Sequence, residues 1–190
     1  MNLLSPTDEK LVARTLAGDR GAFRALVERH YTAVFRLCRS ILRNPEDAED
    51  ATQEVFVRVH QNLAQFAGRG AFGAWLRRLT VNHCLNRTQS ASAKASSRSC
   101  SLDLMAETLP AAVETDPEEL LLRKEERARV KRALELLPPS QRAALGLRLI
   151  EGLSYEEIAD LMGVPVNSVR SWLHRGRARL REALEEAISC

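Results

Sequence analysis

Aromatic residues are scarce: Phe, Trp and Tyr make up 5% of the 190 residues. Sheets draw on aromatic and β-branched side chains, whereas the 45% hydrophobic content here is heavy in Leu and Ala, so an all-α chain is expected. No apolar run approaches the length of a membrane span, and no signal peptide precedes the first helix. The four cysteines, Cys38, Cys84, Cys100 and Cys190, include no CxxC pair. Only His83 and Cys84 set two metal-ligating types side by side, and neighbours on a helix point about 100° apart, so no metal site is expected. Cys38 and Cys84 are read as small apolar packing residues, and nothing near Cys100 or Cys190 argues for an activated thiol. These absences describe a soluble, reduced, cytoplasmic protein that carries no metal or cofactor.

A second absence is local. Residues 55–102 contain no Asp or Glu, but seven basic residues: Arg58, Arg69, Arg77, Arg78, Arg87, Lys94 and Arg98. Immediately before them, Glu46, Asp47, Glu49, Asp50 and Glu54 crowd a segment without one basic residue. The net charge of +3 is too small for a chain that coats nucleic acid indiscriminately, so the segregation carries the information. It implies two partners for two adjacent surfaces: nucleic acid for the basic one and a basic protein surface for the acidic one.

Residues 153–181 read as two short helices around a tight turn. Ser154 caps the first, with Glu157 placed to close a capping box. Ile158, Leu161 and Met162 follow at helical spacing, Gly163 ends the helix, and Pro165 suits the first turn of the next. There Val169, Leu173, Gly176 and Leu180 form one apolar stripe. The rest of residues 165–181 holds five arginines (Arg170, Arg175, Arg177, Arg179 and Arg181) and His174, with no acid. This is a helix-turn-helix whose second helix suits phosphates and base edges.

Upstream, a Ser/Ala/Thr-rich stretch at 88–116 reads as a linker. It separates a unit at 1–87 from one at 117–190. The latter is expected to hold four helices, the first over 117–137 and the second over 140–150. The former is also expected to hold four. One helix starts near Asp8 and ends at Gly18, and a long one is capped by Asp19. A third begins near Pro45, with Ala48, Ala51, Val55, Phe56 and Val59 inward. After the glycines at 68, 70 and 73, the fourth carries Phe72, Trp75, Leu76, Leu79, His83 and Leu85. Trp75 could stack on unpaired bases, although a tryptophan in this spacing is more often core. His83 reads as a packed histidine.

Five segments, in order, carry a family resemblance: GDRGAFRALVERHY, NPEDAEDATQEVFVRVHQNL, FGAWLRRLTVNHCLNR, LPPSQRAALGLRLIEGLSYEEIADLMGV and SVRSWLHRGRARLR. The chain resembles the extracytoplasmic-function (group IV) sigma factors of bacterial RNA polymerase. The resemblance implies a non-enzymatic specificity subunit with a region 2 domain and a region 4 domain. Asp47, Glu49, Asp50, Gln53 and Glu54 would dock on polymerase core, chiefly its β′ clamp helices, with β the other large core subunit. Arg69, Trp75, Arg77, Arg78, Asn82 and Asn86 would engage the minus-ten element. Asn167, Ser168, Arg170, Ser171, His174 and Arg175 would read the minus-35 element. Control by an anti-sigma factor, membrane-bound in many relatives, is also implied. Asn167 and Trp172 depart from common family residues, so the promoter preference is not copied from relatives. Two rivals remain. A free-standing helix-turn-helix regulator leaves the acidic helix unexplained. A small DNA-processing enzyme would need a positioned nucleophile or metal-binding carboxylates, and the acids here crowd one face.

Overall fold

The computed structural model describes residues 6–42, 44–66, 70–95, 132–134 and 136–185. All regular structure among them is helical, and the chain divides into two compact units, Met1–Arg87 and Thr88–Cys190.

In the first unit, α1 spans Asp8–Leu16 and α2 Arg20–Ile41. Gly18 takes φ +93° in the turn between them, and Asp19 caps α2 by accepting from the Ala22 amide at 3.1 Å. Asp8 ties the two helices, pairing with Arg29 at 2.6 Å and His30 at 2.9 Å. α3 spans Pro45–Phe66, with Pro45 in its first turn and Glu46 and Asp47 at the positive end of its dipole. Ala48, Ala51, Val55, Phe56 and Val59 are all buried, the inward face expected from their spacing. Thr52 and Thr80, polar residues inside this core, satisfy their hydroxyls on the carbonyls of Ala48 and Leu76 at 2.7 and 2.8 Å.

α4 spans Phe72–Ala95, with Phe72 on the helix as expected, but differs from expectation at Gly73 and at its C-terminal end. Gly73 belongs to its first turn rather than to the loop, and the helix runs past Arg87 into the stretch read as linker. The physical reason is composition: serine and alanine without Gly or Pro continue a helix readily once it is nucleated.

In the second unit, residues 132–134 are helical; the remainder of the helix expected over 117–137 lies almost entirely outside the described residues. α5 spans Pro139–Leu149, α6 Tyr155–Met162 and α7 Val166–Glu185. The capping box is formed: the Glu157 amide donates to Ser154 Oγ at 3.1 Å and the Ser154 amide to Glu157 Oε2 at 2.7 Å. Gly163 ends α6 at φ +67°, a left-handed conformation that costs other residues about 1 kcal/mol or more. Pro165 stands just before α7, its carbonyl accepting from Ser168. Val169, Leu173 and Gly176 are buried, and α5 packs so closely on them that a Cβ at Gly176 would sit 2.5 Å from Leu145 Cδ1. Arg142, 4% exposed, is satisfied by donating to the Leu137 carbonyl at 3.0 Å.

Candidate nucleic-acid and protein interfaces

On α7 the apolar stripe faces α5 and α6, which leaves Asn167, Arg170, His174 and Arg175 exposed and Ser168 and Ser171 half-buried. Arg170 Nη1 donates to Asn167 Oδ1 at 3.2 Å, one turn back, so Asn167 steers the guanidinium as well as adding a polar group of its own. Arg170, His174, Arg177 and Arg181 continue along one side of α7 and, with Tyr155 of α6, line an open cationic groove. Arg177 Nη2 donates to Tyr155 Oη at 2.6 Å. Arg177 is among the arginines expected on this helix, but Tyr155 is not expected at the site, because their meeting depends on how α7 crosses α6. Trp172 is half-buried.

The acidic helix α3 and the helix α4 form a second site. Asp50, Gln53, Glu54 and Glu49 are exposed on α3, and Asp47 is half-buried. Arg87 of α4 reaches across to three of the acids. Its Nη2 lies 2.8 Å from Asp47 Oδ1 and 3.5 Å from Asp50 Oδ2, and its Nη1 lies 3.0 Å from Glu54 Oε1. The carboxylates hold the Arg87 pKa above its ordinary value, Asp47 foremost. Counting Arg87 among the charges of a basic nucleic-acid surface therefore needs correction: its guanidinium serves the acidic face. His83 is buried beside it, with Nε2 3.1 Å from Glu54 Oε2 but not aligned for a hydrogen bond. Burial, with help from Arg58 and Arg87 and against Glu54, lowers its pKa below the ordinary value, so the ring is neutral at pH 7.

Along the outer side of α4, Arg78, Asn82 and Asn86 follow at i, i+4 and i+8, all exposed. Trp75 begins the same side, but its ring leans into an aromatic cluster, 5.3 Å from Phe66 and 5.8 Å from Phe72 between centroids. It is half-buried, so packing claims much of the face that a base would use. Arg77 lies on the neighbouring flank, its Nη1 close to Gly73. Arg69 lies outside the described residues, as do Cys100 and Cys190.

Cys38 and Cys84 are fully buried free thiols, as their reading as packing residues requires. They also meet, Sγ to Sγ at 3.6 Å, and the adjacent Cys38 and burial push the Cys84 thiol up. Among the described residues no cluster of His, Cys, Asp and Glu could hold a metal ion.

Comparison with known proteins matches residues 26–93 to the family model "Sigma-70 region 2" and residues 127–180 to "Sigma-70, region 4". The chain is 34% identical to the RNA polymerase sigma-H factor of Pseudomonas aeruginosa over 98% of both chains. It is 35% identical to the ECF RNA polymerase sigma-E factor of Escherichia coli K12 over 96% of both. Among solved structures, CnrH in complex with the cytosolic domain of CnrY superposes with a TM-score of 0.64 at 26% identity, over 95% of this chain and 99% of that one. The sigma factor RpoE of Bartonella quintana, solved with the anti-sigma factor NepR, has the same fold, with a TM-score of 0.66 at 22% identity over 86% and 96%.

Proposed function

We propose a division of labour between the two units, from the premise that this chain belongs to the extracytoplasmic-function group of the sigma-70 family of RNA polymerase sigma factors. It is an alternative sigma factor: it binds core RNA polymerase, directs it to particular promoters and takes part in opening the DNA. Family membership over nearly the whole chain leaves the free-standing regulator and the DNA-processing enzyme without support. Phosphodiester chemistry belongs to polymerase, and no residue here is given a catalytic role.

In this reading the unit at 1–87 docks on core through Asp47, Glu49, Asp50, Gln53 and Glu54. The α4 row of Arg78, Asn82 and Asn86 meets the minus-ten strand, with Trp75 and Arg77 at its flank and Arg69 in the preceding loop. The unit at 117–190 reads the minus-35 element through Asn167, Ser168, Arg170, Ser171, His174 and Arg175, and 88–116 joins the two. The observation that carries the assignment is the segregation of α3 and α4. One helix shows carboxylates to solvent, while the other shows arginine and asparagine, and basic protein and nucleic acid demand those chemistries respectively. The protein works in the cytoplasm, and none of its described helices is long and apolar enough to cross a membrane. An anti-sigma factor holds it inactive, membrane-bound or soluble, and copurification from the host under non-inducing conditions tests this.

In vitro transcription tests the assignments. Wild-type protein with core polymerase starts transcripts at defined sites. Asp50→Arg, on an exposed carboxylate, loses core binding, whereas Arg170→Ala keeps core binding and loses upstream selectivity. Operator binding by the protein alone, with no gain in transcription from core, would overturn the reading.

A further inference from the structure

The outward face of α3 holds one side chain that charge does not explain. Val57 is 55% exposed in the middle of a well-formed helix, while its neighbours Phe56 and Val59 are 7% and 0% exposed. The inward stripe already fills the core, and Val57 is left facing solvent. Valine also has low helix propensity and no advantage at a solvated position, where Lys, Gln or Glu would favour the helix by roughly 0.3–0.5 kcal/mol. Isolated exposed apolar residues are common and mean little. The surroundings of this one are what matter. Asp50, Gln53, Glu54 and Gln61 stand at i−7, i−4, i−3 and i+4, so they share its side of the helix, and together with Arg58 they line an open groove around it. A ring of polar groups about a single apolar side chain is the layout of an interface centre, where the apolar group is fully desolvated and its rim excludes water. Arg87 bridges the acids from the α4 flank, which orders Asp50 and Glu54 beside the valine before any partner arrives.

We propose that Val57 is the apolar anchor of the core-polymerase interface. It enters an apolar depression on the polymerase surface, bordered by basic side chains that pair with Asp50 and Glu54. The acids steer and orient the encounter, and Val57 holds it. The partner surface is therefore both basic and apolar, and a polybasic surface without the depression binds weakly. This inference rests on the assignment of the α3 face to core polymerase.

The test measures association and dissociation of the full-length chain with core polymerase, for wild type and the variants Val57→Ala, Val57→Asp, Val57→Ile, Asp50→Asn and Asp50→Arg, at low and high salt. Val57→Ala raises Kd about tenfold. It does so mainly through faster dissociation, by a factor that is the same at both salt concentrations. Val57→Asp abolishes measurable binding, and Val57→Ile retains wild-type affinity. Asp50→Asn slows association, and its effect shrinks as salt rises. Thermal midpoints of the free Val57 variants stay within a few degrees of wild type, since the side chain is exposed, with Val57→Ala shifted slightly upward by its better helix propensity, which separates lost docking from lost fold. If Val57→Ala and Val57→Asp bind within twofold of wild type while Asp50→Arg fails to bind, the anchor is wrong and the face is right. If Asp50→Arg also binds normally, the face itself is wrong and the anchor falls with it.

Discussion

His83 is neutral at pH 7 because a charged imidazole would be buried, 6% exposed, beside Arg58 and Arg87, and Glu54 offers only partial compensation. The consequence for stability has a definite sign. In the unfolded chain the ring takes up a proton as pH falls through the ordinary value of 6.5, whereas in the fold it does so only at lower pH. Its contribution is therefore complete above about pH 6.5 and is lost as pH falls from there through the folded pKa. Urea midpoints taken between about pH 7.5 and about pH 5.5 fall more steeply for wild type than for His83→Leu. Parallel slopes, or a wild type that gains stability on acidification through a charged pair with Glu54, would contradict the buried-neutral assignment. That His83 is packed could be read from its place on an apolar face. Its partners could not, nor could the turn of Arg87 onto Asp47, Asp50 and Glu54: both depend on how α4 crosses α3, which no local pattern encodes.

The helix-turn-helix was the most legible element because each of its signals is local. Ser154 and Glu157 close a capping box within four residues, and Gly163 takes the left-handed backbone that ends the helix. The end of α4 was less legible, since a polar Ser/Ala stretch is compatible with both linker and helix. Gly176 lies between these cases: its place in the α7 stripe was visible, but its reason was not until α5 was laid against it. An alanine there would gain about 1 kcal/mol in helix propensity. Its methyl would also meet Leu145, a fully buried side chain with Cδ1 at 2.5 Å and Cγ at 3.1 Å, and overpacking of this kind costs roughly 1–3 kcal/mol. Because Leu145 is enclosed, packing decides, and Gly176→Ala lowers the urea midpoint of the second unit. In a Leu145→Ala background the same change raises stability relative to that background. If Gly176→Ala stabilises the wild type, the close approach of α5 and α7 is more yielding than these distances imply.

Two small units with complementary tasks explain why a chain of net charge +3 can select promoters at all. Neither unit presents enough basic surface for tight binding by charge alone. In the proposed division of labour the α7 face contributes a few base-reading side chains, and the α4 row contributes two amides and an arginine, with an acidic helix beside it that repels phosphate. On that proposal polymerase supplies what is missing: once α3 is docked, both DNA-facing surfaces are held at fixed separation, and the second contact becomes intramolecular, a gain on the order of 10²–10⁴ in apparent affinity. The free protein should therefore bind a minus-35 duplex only weakly. Its Kd should be on the order of 10⁻⁵ M at physiological salt, with a steep salt dependence and little preference for the matched sequence. The holoenzyme, measured on the same duplex extended through the minus-ten element, should bind at least a hundredfold tighter, and Asp50→Arg should erase that difference without changing the weak binding of the free protein. Fluorescence anisotropy with and without core makes the comparison directly. A free protein that already binds the duplex tightly and selectively would mean that the second unit carries recognition alone, and that polymerase is recruited to it rather than completing it.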